Sequence, residues 1–247
     1  MPRNLAIPTE TLVKHARAAY PQLLAVVLVG SAARGNDHDL SDIDILCLGE
    51  NLPGYELGVL EGRLIALQGK AEEAVRRDFA NPILCAQAVP SWRDSRILHD
   101  PDYRATALHQ EAIDWNWNVV DAELASTVTR EVIGYAEEAL KLIAAARSGH
   151  LTAAAVQANL IAIHLTPVIA AATRRFVPSE NALWDGSAGD PEWFAGLAEI
   201  QDADPRQAAS AALTLYLKAL DVASPGMTTS QQAVADLVQQ HAKKLIR

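Results

Sequence analysis

The chain has 247 residues, half of them hydrophobic and 21% charged, with a formal net charge of −9. That length suits one large domain or two modest ones, and so large an apolar share supplies a sizeable core. The charge balance shows none of the basic stripe of a nucleic-acid-binding surface and argues against a template-dependent polymerase. The two cysteines, Cys47 and Cys85, lack CxxC spacing, which argues against a zinc site and a disulfide framework.

Met1 to Glu10 has no apolar h-region. The longest apolar stretch, Leu151 to Thr173, is interrupted by Gln157, Asn159, His164 and Pro167, short of an unbroken membrane span. The expectation is a soluble cytoplasmic protein with buried, reduced thiols and no membrane partner.

Thr9 to Ala19 has a helical apolar pattern, ended by Tyr20-Pro21. Leu23 to Val29 is a short β-branched apolar run, the mark of a buried strand, and Gly30-Ser31 follows at once. Ala32 to Asn36 suits a short helix closed by Gly35, then a polar turn to Ser41 and a second strand over Asp42–Leu48. Gly49 to Gly58 reads as loop, Leu60 to Leu67 as a third strand, and Ala71 to Phe79 as a helix stopped by Asn81-Pro82. Ile83 to Val89 fits strand or helix equally; Ser95 to Asp100 is a short strand.

After residue 110 alanine and leucine dominate. Asp121–Arg147 reads as one long helix and Leu151–Arg175 as a second, with Pro167 inside it. Pro178–Asp190 reads as a loop, and helices follow over 191–200, 206–222 and 230–246. The predicted division is a mixed α/β domain over 1–110 and a helical bundle over 111–247. Their net charges are −3 and −6. The acidic second half favours a cationic partner, although mild acidity is also the ordinary state of a soluble protein.

Chemistry concentrates between Val26 and Leu46. Asp42 and Asp44 are two apart in a strand, so both carboxylates leave the same face while Ile43 and Ile45 enter the core. Two carboxylates side by side repel unless a cation neutralises them. A hard divalent ion, Mg2+ above all, does so and brings nucleotide phosphates with it. Gly30 lets the backbone approach a phosphate, and Ser31 adds a hydroxyl at the mouth of the short helix. Either feature alone is weak. Together, on adjacent apolar strands, they suit attack on the α-phosphoryl group of a nucleoside triphosphate.

Gly30-Ser31-Ala-Ala-Arg34-Gly35 followed by Ser41-Asp42-Ile-Asp44 resembles the signature of the polymerase-beta-like nucleotidyltransferases, and in particular of their small antibiotic-modifying, kanamycin-type members. The resemblance is tightest over 26–48, extends to Arg96-Ile-Leu-His-Asp100-Pro101, and beyond 110 is one of architecture only. It implies an α+β protein: a nucleotidyltransferase domain with a small mixed sheet flanked by helices, then a C-terminal helical bundle. It also implies Mg2+ held by Asp42 and Asp44, with a two-metal site open, and nucleotide contacts from Gly30, Ser31, Arg34 and Ser41. The activity it implies is transfer of AMP from ATP to a hydroxyl of a small, cationic, aminoglycoside-like acceptor. A protein acceptor, as in toxin–antitoxin pairs, and nucleotide binding with little catalysis are the competing readings. A homodimer is the assembly that the resemblance suggests.

Relatives of this kind usually add a third carboxylate from the next strand, yet Leu64 to Leu67 contains no acid; Glu61 lies early and Gln68 is neutral. They also take a general base from the helical domain. Glu138 is the preferred candidate, with Glu137 beside it and Glu131 in reserve, against the plain alternative of solvated helix-surface glutamates. His38 reads as a solvated loop residue, His164 as a core residue, Trp115 and Trp117 as packing, and Arg174-Arg175 as helix-end cations.

Overall fold

The computed structural model describes residues 7–184, 186 and 190–246. The chain divides into two compact units, Met1–Val119 and Val120–Arg247, so the first extends beyond residue 110 to include a complete helix.

The first unit is built on five strands: β1 (Ala25–Val29), β2 (Ile43–Leu48), β3 (Glu56–Leu60), β4 (Arg63–Lys70) and β5 (Arg96–His99). Their order is β3-β4-β2-β1-β5, with β2 parallel to β4 and every other pair antiparallel. β1 lies second from one edge and is buried over Ala25–Leu28, as its unbroken apolar run requires. One sheet face, carrying Val26, Leu28, Ile43, Ile45, Ile65 and Leu67, packs with Leu12 and Ala16 of α1 (Thr9–Ala19) into a single core. The isoleucines flanking the aspartates are therefore buried, and the alternation of the strand turns Asp44 to the opposite face.

The hairpin between β3 and β4 corrects the third predicted strand. Residues 49–58 are not all loop, because β3 begins at Glu56, and a strand over 60–67 would run through the turn. Glu61 and Gly62 form that turn with φ 51° and 80°. Two successive left-handed residues are the two-residue connection that matches strand twist. Glu61 is thus an exposed turn residue ahead of β4.

Short α2 (Gly30–Arg34) follows β1, and Gly35 closes it at φ 72°. α3 (Glu72–Ala80), α4 (Cys85–Arg93) and α5 (Arg104–Asp114) come later. The ambiguous 83–89 segment is helical from Cys85 on, and in the turn before it the Asn81 side chain accepts hydrogen bonds from the Ile83 and Leu84 amides at 2.9 and 3.0 Å. The Asp100 carboxylate does the same for Ala105 and Thr106 at the head of α5. Trp115 donates to the Phe79 carbonyl at 3.0 Å and packs edge-on to Trp117, a packing role within this unit.

The second unit is helical: α6 (Asp121–Gly134), α7 (Ala136–Arg147), α8 (Leu151–Ala172), α9 (Glu180–Trp184), α10 (Pro191–Asp202), α11 (Pro205–Ala223) and α12 (Thr229–Ala242). The predicted single helix over 121–147 is two, divided at Tyr135 after Gly134. The predicted loop over 178–190 contains α9; Asp185 and 187–189 of it lie outside the described residues. α8 packs against α6, α7, α10 and α11, and Ala154, Ala158 and Ala162 let those helices come close. At 22 residues α8 is long and apolar enough to cross a bilayer despite its polar side chains, and half of its most apolar stretch is buried within the protein. Asp190, Asp204 and the Thr228–Gln231 capping box set the starts of α10, α11 and α12. Cys47 and Cys85 are buried free thiols, and burial pushes them up to about 12 and about 11.

Candidate active site

Antiparallel pairing sets Val29 opposite Asp44, so the residue after β1, Gly30, lies directly against the Asp44 carboxylate. A Cβ at Gly30 would run into the Asp44 Oδ2. Its φ of +70° is the left-handed conformation that side chains resist. The glycine and the aspartate are therefore one structural unit: the chain turns from β1 into α2 in the space that the missing side chain leaves.

Asp42 and Asp44 are partly exposed, with Ile43 and Ile45 buried on either side of Asp44. Burial, then the neighbouring Asp42 charge, raises the Asp44 carboxyl to about 6, against the opposing pull of Arg34. A carboxylate held this way gains from a cation. The donor set fits Mg2+, which binds through one or two carboxylates and completes its shell with phosphate oxygens and water. Among the described residues no group of three or more His, Cys, Asp or Glu forms a metal site, so the pair stands without a third such ligand.

The loop leading into β2 is tied down by Arg63, at the start of β4, a residue the sequence reading did not single out. Its guanidinium donates to the Ser41 carbonyl at 2.8 Å and to Asp37 at 3.1 Å. The Ser41 hydroxyl accepts from the His38 amide at 3.1 Å, and His38 Nδ1 accepts from the Leu40 amide at 3.2 Å. These bonds fix the backbone immediately before Asp42. Ser31 and Arg34 both lie on α2, which packs on β1 and β2.

The first unit thus brings together Gly30, Ser31, Arg34, Ser41, Asp42 and Asp44. Glu138 belongs to α7 of the second unit. There it is the less exposed of two adjacent glutamates, at 25% against 74% for Glu137, and lies 3.5 Å from Lys141. Burial and then the Glu138 charge raise the Tyr135 and Tyr216 phenols. Glu131 pairs with Arg130. His164 is exposed and stacks on Tyr135 at 5.3 Å, not in the core as its apolar neighbours suggest. Arg174 pairs with Asp121.

The first unit sets paired carboxylates beside a left-handed glycine on a mixed sheet. Residues 10–99, which include the whole five-stranded sheet, match the family model described as a nucleotidyltransferase domain. A solved structure of a nucleotidyltransferase-like protein from Exiguobacterium sibiricum shares the fold. The TM-score is 0.53 at 14% identity, covering 88% of this chain and 77% of that one. No curated protein matches significantly.

Proposed function

We propose that this protein transfers a nucleoside monophosphate, AMP from ATP, to a hydroxyl of a small molecule, with an aminoglycoside-like cation as the acceptor class. The observation that carries the reading is the Asp42–Asp44 pair set against Gly30 inside a nucleotidyltransferase domain. The acidity of the helical half supports a cationic acceptor.

In the reaction the acceptor oxygen attacks the α-phosphorus, a new P–O ester bond forms, and the bond to the β-phosphate bridging oxygen breaks. Pyrophosphate leaves, and the hydroxyl proton passes to a base, for which Glu138 is the candidate. Mg2+ bound at Asp42 and Asp44 would supply charge stabilisation to the phosphoryl oxygens. Gly30 gives the triphosphate close access to backbone amides, and Ser31 and Arg34 offer a hydroxyl and a fixed positive charge.

A second reading, nucleotide binding with little turnover, is favoured by one observation: the residue paired with Asp44 across β4 is Ala66. Pyrophosphate release from Mg-ATP, measured with and without a panel of aminoglycosides, separates the two. Acceptor-dependent release that Asp44→Asn abolishes supports transfer. Tight nucleotide binding without release, whatever the acceptor, supports the second reading.

A further inference from the structure

The strand beside the carboxylates carries no ligand at their level. β2 and β4 run parallel with Ile43 paired to Ile65 and Asp44 to Ala66. Asp42 lies just ahead of β2, and Leu64 precedes Ile65 as Asp42 precedes Ile43, so Ala66 lies level with Asp44 and Leu64 is the β4 residue next along toward the Asp42 end. Ala66 is buried and Leu64 is 45% exposed. The next residue on that face, Gln68, pairs with Leu46 and is a neutral amide. On the other flank β1 ends at Val29, and Gly30 begins α2. Glu61 is in the hairpin turn, and Asp37 is engaged by Arg63.

Two divalent ions about 3.5–4 Å apart need bridging and flanking anions on both sides to offset their mutual repulsion. Among the described residues two carboxylates are supplied here, and Arg34 already adds a permanent positive charge that acts on Asp44. Resting on the nucleotidyltransferase reading above, we infer that Asp42 and Asp44 hold one divalent cation, not two, and that Leu64 and Ala66 are the side chains that set this number. The nucleotide then arrives with the ion that binds its phosphates, and the attacking hydroxyl lacks a metal of its own.

The test counts and characterises Mn2+ on the full chain in the presence of a non-hydrolysable ATP analogue, corrected for metal bound by the analogue alone. The parent is expected to retain one Mn2+ per chain with a spin-uncoupled EPR spectrum. Ala66→Asp and Leu64→Glu are each expected to retain two and to show spin coupling; the exposed Leu64 position keeps the test available if the buried Ala66 variant fails to fold. A parent that already holds two coupled ions overturns the inference and leaves the nucleotidyltransferase reading standing. One ion in the parent and still one in both folded variants overturns the role given to Leu64 and Ala66. No retained Mn2+, or equal retention by Asp42→Asn/Asp44→Asn, overturns the inference and the underlying reading together.

Discussion

Asp44 and Gly30 are each costly at their position. A carboxyl that titrates at about 6 in the folded protein and at 3.8 when unfolded binds its proton more tightly in the native state. The stability this adds is fully present below about pH 3.8 and is lost as pH rises through 6. At neutral pH the charged side chain is therefore a burden, so Asp44→Asn should be more stable than the parent at pH 7. The gain should be on the order of 1–3 kcal/mol after solvent screening, and it should vanish below pH 4. Urea unfolding of both proteins at pH 4 and pH 7 checks this; equal stabilities at pH 7 would contradict it. The same titration should weaken the proposed metal-dependent nucleotide binding as pH falls below 6, read by calorimetry across that range. Gly30→Ala faces both a left-handed backbone and the Asp44 oxygen. It should lose about 1–2 kcal/mol for the backbone alone and nucleotide affinity with it, read by thermal unfolding and calorimetry.

At the scale of elements, Arg63 links the β3–β4 hairpin to the loop before Asp42 through the Ser41 carbonyl and Asp37. Arg63→Ala should leave the sheet folded, weaken nucleotide binding several-fold and open residues 36–41 to protease cleavage. Lysine should rescue poorly because it cannot span both acceptors with a planar fork. Asp100→Ala removes the carboxylate that accepts from the Ala105 and Thr106 amides. It should cost about 1 kcal/mol with nucleotide affinity unchanged.

The elements also show what a single sequence reveals. β1, α2 and β2 were legible because a β-branched run, a Gly-Ser break and an Asp-x-Asp pattern each carry strong local rules, and those elements hold the carboxylates. The hairpin was not, although Glu61-Gly62 has the form of a two-residue turn, because the apolar run on both sides of it reads as one strand. Arg63 was lost with it, since its partners lie 22 and 26 positions away. The break at Tyr135 is equally quiet: Gly134 weakens a helix without ending it by rule. Placing Ala66 opposite Asp44 required the parallel register, which composition cannot supply.

On the scale of the whole molecule, the proposed nucleotide site belongs to the first unit and the candidate base to the second. This makes the two functions separable. Glu138→Gln should leave binding of a non-hydrolysable ATP analogue unchanged and lower transfer by about 10²-fold or more. A matching loss of nucleotide binding would remove Glu138 from the acceptor side. The formal charge of −9 leads to a related expectation: transfer to a cationic acceptor should weaken as salt rises, through KM more than kcat.

The measurement that bears most directly on the central claim is calorimetric titration of a non-hydrolysable ATP analogue with Mg2+ into the parent and into Asp42→Asn/Asp44→Asn. Metal-dependent binding by the parent, lost in the folded double variant, is the predicted result and places the nucleotide at the carboxylate pair. A folded parent that binds neither ATP nor any other triphosphate analogue with Mg2+ would contradict the account and leave a nucleotidyltransferase fold without its chemistry.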